Sequence, residues 1–389
     1  YYRQIAMSKF SINLVNFIRT TYNTNGFIPL HAPIFTKKEK DCVVDAIDST
    51  FVSTVGEYVS EFENLVARFT GIKYAIATVN GTSALHAALL ASNVGFNDEV
   101  ITQSLTFVAT CNAIKYCSAN PVFVDVSRET MGMSPNSLKE FLQNFAEIGD
   151  DGLCRNKKSG SIIRACLPMH SLGHPVEIDS IKEICSSYNI ILIEDSAESL
   201  GSFYKGKHTG SYGESSILSF NGNKIITCGG GGMVLTNKKS IETKVRHLTT
   251  TAKEAHNWFF SHDEVGYNYR LPNINAALGY AQMERLEEYL ENKRETAKKY
   301  HEFFQNDSHI FFSEPKNSKS NYWFNAFFAK DRIERDNILE QTNNNGVMTR
   351  PLWLPMHKLP MYKSCQKTKM VNTNWLFDHL ICIPSSVNI

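Results

Sequence analysis

From about residue 60 to residue 240, short apolar runs alternate with stretches whose apolar residues recur every three or four positions. Tyr74–Val79, Glu99–Thr102, Pro121–Val126, Ser161–Leu167, Ile190–Ile193 and Ser215–Phe220 are short, rich in Val and Ile, and bounded by turn residues, so they read as buried strands. Between them, Thr82–Ser92, Phe107–Tyr116, Ser137–Phe145 and Ile178–Ser187 carry helical spacing. Strand followed by helix, repeated, predicts right-handed crossovers and a mostly parallel sheet covered by helices on both faces: an α/β domain. Beyond about residue 250 the texture changes. A long helix is predicted from Asn273 toward Phe304, with a charged face from Glu284 to Lys299. An aromatic strand follows at Tyr322–Ala329, then a Pro-rich tail from Arg350 to Pro384. The polar stretch Gly149–Gly160 reads as a surface loop. The chain thus divides into a leader and helix (1–25), a large α/β domain (26–250) and a smaller C-terminal α+β domain (251–389).

Composition narrows the function classes. Forty-two per cent of the 389 residues are hydrophobic, enough for a large core. Forty Lys and Arg balance 39 Asp and Glu, so no net field favours nucleic acid or an anionic membrane. No run of apolar residues is long enough to span a bilayer. Tyr1–Phe10 lacks a basic stretch leading into an apolar one, so no secretory signal is visible and a cytoplasmic location is expected; the residues before Met7 are given no role. The nine cysteines form no C-x-x-C pair, and several sit in apolar runs, which fits free buried thiols in a reducing compartment. No H-E-x-x-H spacing occurs, and no metal site is expected.

In an open α/β sheet, ligands bind at the carboxyl ends of the strands, which directs attention to four loops. Asn80-Gly81-Thr82-Ser83 follows a strand and opens a helix, whose first amides are unpaired and positively polarised; it is a phosphate cradle or an ordinary N-cap. Glu194 and Asp195 end another strand, where a carboxylate holds a proton on a heterocycle, binds a metal or caps a helix. Lys224 stands between an apolar strand and Gly229–Gly232, four glycines incompatible with a regular element; it is a Schiff-base candidate or a solvated loop lysine. Phe107 either stacks on a planar ligand or belongs to the core. Each signal is ambiguous alone. Together they are the parts of a pyridoxal phosphate site: a phosphate cradle, a stacking ring, a carboxylate and a lysine.

The motifs NGTSALH, TQSLTFVAT, IEDSAESLGS, SFNGNKIITCGGGGM and GYNYRLPNINAALG, in this order, resemble the DegT/DnrJ/EryC1/StrS family of sugar aminotransferases, over about residues 26 to 388. The resemblance implies a fold-type I, pyridoxal phosphate-dependent enzyme. It makes Lys224 the Schiff-base lysine and Asp195 the partner of the pyridine nitrogen. It places Gly81, Thr82, Ser83 and Ser219 at the phosphate and Phe107 on the ring. Glu198 stands near the cofactor's phenolic oxygen, where relatives often carry Gln or His. Asn268, from a neighbouring subunit, would complete the phosphate site, which implies a homodimer with shared sites. The stretches FIPLHAPIF, FVSTVGEYVSEFE and RPLWLPMH look most like the branch that aminates C4 of a UDP-linked 4-keto-6-deoxy-N-acetylglucosamine, with glutamate as donor, in surface-glycan biosynthesis. Ser53, Thr54, Gly56, Asn325 and His357 are the candidate contacts for that sugar nucleotide. A GDP-linked acceptor, as in perosamine formation, is the alternative within the class. A regulatory protein that holds pyridoxal phosphate without turnover is the alternative outside it. Relatives that dehydrate a sugar carry histidine at the lysine position, and this chain keeps Lys224.

Overall fold

The computed structural model describes residues 7–389; the part of the leader before Met7 lies outside the described residues. Its centre is a seven-stranded sheet of β1 (Tyr74–Thr78), β2 (Glu99–Gln103), β3 (Asn120–Val124), β4 (Ile163–Leu167), β5 (Ile191–Asp195), β6 (Ser215–Ser219) and β7 (Gly232–Thr236). Their order across the sheet is β1-β7-β6-β5-β4-β2-β3. The neighbours from β6 to β3 pair parallel, and β7 alone runs antiparallel, to both β1 and β6. This is the mostly parallel α/β sheet that the alternating pattern predicts.

Parallel strands covered on both faces must also bury their polar residues, and the chain supplies partners for them. All five residues of β2 are buried. Glu99 accepts from Asn156 (2.7 Å) and Ser159 (2.7 Å), Thr102 donates to the Leu167 carbonyl (2.7 Å), and Gln103 receives the Met133 and Met169 amides. The first of these contacts corrects the reading of residues 149–160. Instead of a loop alone, Cys154–Asn156 pairs with Ala146–Ile148, and Asn156 is fully buried because it serves Glu99.

The helices of this part of the chain are α1 (Lys9–Tyr22), α2 (Lys37–Asp48), α3 (Glu57–Thr70), α4 (Gly81–Ala91), α5 (Val108–Tyr116), α6 (Pro135–Phe145), α7 (Ile178–Ser187) and α8 (Lys239–Thr249). The long helix expected after Asn273 is two helices, α9 (Asn273–Met283) and α10 (Leu286–Phe304), broken at Glu284–Arg285. α9 packs its alanines against Cys42, Ala46 and Phe62 of α2 and α3. α10 turns Tyr289, Lys293, Thr296, Ala297, Tyr300 and Phe304 inward, so a buried stripe crosses the face that reads as charged. A second sheet, β8 (Ile310–Phe311), β9 (Asn325–Phe328), β10 (Arg350–Pro351) and β11 (Leu380–Ile383), has the order β8-β9-β11-β10. The Pro-rich tail is therefore partly regular, and it also holds α12 (Val371–His379), after α11 (Arg332–Asn344). Leu14, Val15 and Ile18 of α1 join the core formed by Tyr300, Phe304, Phe327 and Ile381.

The nine cysteines are all free thiols, eight of them buried and Cys365 half-buried. Among the described residues, no helix is long and apolar enough to cross a membrane.

Candidate active site

A cavity of about 650 Å³ opens at the carboxyl ends of the central strands, between the main sheet and the second one. β5 delivers Asp195 into it. Its Oδ2 accepts from the Thr110 hydroxyl (2.8 Å) and its Oδ1 from the Ala197 amide (3.1 Å), which fixes the carboxylate's orientation. Burial pushes its pKa up against these hydrogen bonds and the Lys224 charge. Strand alternation sends the adjacent Glu194 elsewhere. It accepts from His170 (3.0 Å) and from the amides of Gly210, Tyr212 and Gly213. Burial would raise its pKa, but His170 and those amides hold it below the ordinary value. Of the acidic pair, one member is structural and the other faces the cavity. His170 is structural with Glu194.

Glu198 follows Asp195 by three residues. Its Oε2 accepts the Leu172 amide (2.8 Å), and its Oε1 lies 3.3 Å from the Lys224 ammonium. Burial pushes the Glu198 carboxyl up to about 7, with Lys224 opposing and Asp195 reinforcing. Lys224 itself hangs from a closed loop between β6 and β7. The Phe220 amide bonds the Gly231 carbonyl (2.8 Å), and the Cys228 amide returns to Phe220 (3.0 Å). Trp323 holds this loop from the other side. Its indole N–H donates to the Asn223 carbonyl (2.7 Å), and its ring centroid lies 4.1 Å from the Lys224 ammonium. Gly232 is no loop glycine: it opens β7, and a Cβ there would come within 2.3 Å of the Asn80 carbonyl oxygen. The glycine run thus lets a strand pass against the start of α4.

At that start, Asn80 caps the helix by accepting the Ser83 amide (2.8 Å). The cap and the cradle coexist, because the amides of Gly81 and Thr82 precede the capped one. A Cβ on Gly81 would approach that of Ser219 within 2.9 Å, so glycine brings the helix terminus and the β6 hydroxyl together. Gly81, Thr82, Phe107, Asp195, Glu198, Ser219 and Lys224 all line the one cavity. Phe107 is half exposed there and is not a core residue. This donor set suits a phosphorylated aromatic aldehyde: polarised amides and hydroxyls for a dianion, an aromatic face, a buried carboxylate for a ring nitrogen and an amine for the carbonyl.

The other candidates stand outside. Ser83 is buried next to the cradle without lining it. Asn268 is exposed, in a bridge with Thr250. Ser53, Thr54 and Gly56 lie on a loop anchored by Asn273, whose amide donates to the Ser53 carbonyl (2.6 Å). Asn325 is buried against Ser385 (3.1 Å), and His357 lies 2.7 Å from the Ser104 hydroxyl, its pKa lowered to about 4 by burial and by Lys358 and Lys367. None of these lines the cavity of this chain. His247, Asp263 and Glu264 gather their ligand atoms within 4.8 Å, but they lie outside the cavity, where Glu264 accepts from Lys244 (2.5 Å) and Asp263 pairs with His247 (2.6 Å). Sequence reasoning missed Thr110, Trp323, His31 and Arg350. Thr110 falls inside a motif quoted for the family, but nothing in its spacing marks it.

A mostly parallel sheet that presents an aspartate and a loop lysine at its carboxyl edge, beside a glycine-opened helix, has the architecture of an aminotransferase. The chain belongs to the DegT/DnrJ/EryC1/StrS aminotransferase family, whose profile matches residues 33–389. It is 38% identical over 336 residues to the GDP-perosamine synthase of Escherichia coli O157:H7, covering 86% of this chain and 87% of that one. A Bacillus subtilis (strain 168) protein, EpsN, named as a pyridoxal phosphate-dependent aminotransferase, is 35% identical over 370 residues, 93% and 92% of the two chains. The solved structure of Helicobacter pylori PseC, an aminotransferase involved in pseudoaminic acid biosynthesis, shares the fold, with a TM-score of 0.82 at 22% identity over 92% of this chain and 93% of that one. The chain is an aminotransferase, and the reading of a regulatory protein without turnover falls away.

Proposed function

We propose that this aminotransferase uses pyridoxal phosphate to move an amino group from glutamate to C4 of a nucleotide-linked 4-keto-6-deoxy sugar, in ping-pong order. The observation that carries the reading is the convergence of Asp195, Glu198 and Lys224 with the Gly81–Thr82 helix terminus and Ser219 in one cavity. When bound, pyridoxal phosphate supplies an aldehyde carbon for amine exchange and a ring that accepts the electron pair released from the donor's Cα–H bond. Asp195 keeps the proton on the ring nitrogen, and Thr110 and Ala197 keep Asp195 aimed. Gly81, Thr82 and Ser219 hold the phosphate, with Ser83 supporting the helix terminus, and Phe107 covers the ring. Lys224 moves the proton between the donor's Cα and the cofactor's C4′, as base and then as acid. Glu198, 3.3 Å away, holds the Lys224 amine in place beside the cavity. Exposed Asn268 and Ser53, with half-buried Thr54 and Gly56, are read as parts that one protomer of a cytoplasmic homodimer presents to its partner's cavity.

Two acceptors each have support. Three curated relatives at 34–38% identity are GDP-perosamine synthases, which favours a GDP-linked sugar for surface-glycan synthesis. The stretches around His31, Gly56 and Pro351 resemble the UDP-sugar branch. Supplying each 4-keto sugar nucleotide with nitrogen-15 glutamate decides between them: the label should appear in an amino sugar from one nucleotide series, and labelled product from neither would sink the nucleotide-sugar reading.

A further inference from the structure

Among the described residues lining the cavity, His31 alone has buried side-chain polar atoms without a partner in the chain: neither Nδ1 nor Nε2 makes a hydrogen bond. The other buried groups that face the cavity are served, Asp195 by Thr110 and Ala197, Glu198 by Leu172 and Lys224, and Trp323 by Asn223. A buried polar group left unpaired costs free energy, so two on one ring call for a reason. The ring is not there through a slack loop. The Leu30 carbonyl accepts the Ser385 amide (2.8 Å), and the Ala32 amide donates to the Ser386 hydroxyl (2.9 Å), so the backbone on both sides is pinned. Burial, with the Lys293 and Lys224 charges, keeps the imidazole neutral, so it offers one N–H and one lone pair.

That pair of requirements discriminates among ligands. Carboxylates and phosphates only accept hydrogen bonds and an ammonium only donates, whereas a sugar hydroxyl does both. The ribose also carries hydroxyls, and the bare nucleoside diphosphate is the control for them. We propose that His31 binds a hydroxyl of the sugar acceptor and selects for acceptors that carry it. This rests on the nucleotide-sugar reading above. A site built around a hydroxyl discriminates strongly against an analogue that lacks it, because its own polar group is then stranded.

The test is calorimetric titration of the chain after treatment with glutamate. The probes are the aminated nucleotide sugar, which cannot react further with that form, and the bare nucleoside diphosphate. His31→Phe should weaken the amino sugar nucleotide about ten-fold and leave the nucleoside diphosphate unchanged. His31→Gln, which restores a donor and an acceptor, should recover part of the loss. Because His31→Phe removes stranded polar atoms, its thermal midpoint should not fall. Equal affinity of His31→Phe and the unaltered chain for the amino sugar nucleotide would overturn the inference alone, as would equal losses for both probes. An unaltered chain that forms no aminated nucleotide sugar would overturn the substrate reading and this inference with it.

Discussion

Lys224 and Lys293 both touch Trp323, but Lys224 is partly exposed and Lys293 fully buried, and they differ in access and in partners. Lys224 lies over the indole ring, 3.3 Å from Glu198, with its amine facing the cavity. Lys293, on α10, is sealed from the cavity and donates to the Trp323 and Ser385 carbonyls. Burial lowers the Lys293 pKa to about 7. By burial alone Lys293 would be the better nucleophile candidate. What it lacks is a place for a reactant and a neighbouring acid, so its burial serves the fold by pairing two backbone carbonyls that would otherwise be stranded. Access and partners, more than burial, separate the reactive lysine from the structural one.

The comparison breaks most visibly at Lys224. Lys224→Arg should cut turnover by roughly 10³-fold while the thermal midpoint changes little; wild-type turnover would end its assignment. Asp195→Asn removes the charge that holds the ring proton and should cost roughly 10²-fold in the glutamate half-reaction, read by stopped flow. Glu198→Gln should change the rate about ten-fold. It should also erase an inflection near pH 7 in the profile of kcat/KM for glutamate, because burial holds the Glu198 proton up to about 7. An unaltered profile would remove Glu198 from the chemistry. Lys293→Met should leave turnover within a few-fold and show its effect in stability, about 1–3 kcal/mol on the alkaline side. Between about pH 7 and the ordinary lysine value of 10.5, the unfolded chain holds a proton that the folded chain lacks. The unaltered protein therefore gains stability over Lys293→Met as pH rises through that window, and loses the advantage below it. Denaturant titrations at several pH values check the sign.

The same pair shows what a sequence discloses. Lys224 was legible because its signals are local: an apolar strand before it, glycines after it, and three more loops of the same kind at successive strand ends. Lys293 was not, because its neighbours Glu291, Arg294 and Glu295 make the segment look solvated, and its partners lie 30 and 92 residues away. The six strands of the α/β region were legible from their apolar runs. β7 was hidden because Gly232 reads as loop until the approach of Asn80 explains it. The break between α9 and α10 carries no proline or glycine to announce it. His31 and Trp323 enter the site from segments more than 90 residues from Lys224, and no periodicity connects them.

The central claim is that the cavity holding Lys224 and Asp195 carries out two amine exchanges in succession. Near-ultraviolet and visible absorption of the cofactor-loaded protein tests it most directly, recorded first alone, then with glutamate, then with the 4-keto sugar nucleotide. The account predicts that the visible band is lost with glutamate and returns with the sugar nucleotide, and that Lys224→Arg does neither at a comparable rate. A band that glutamate leaves untouched would contradict it.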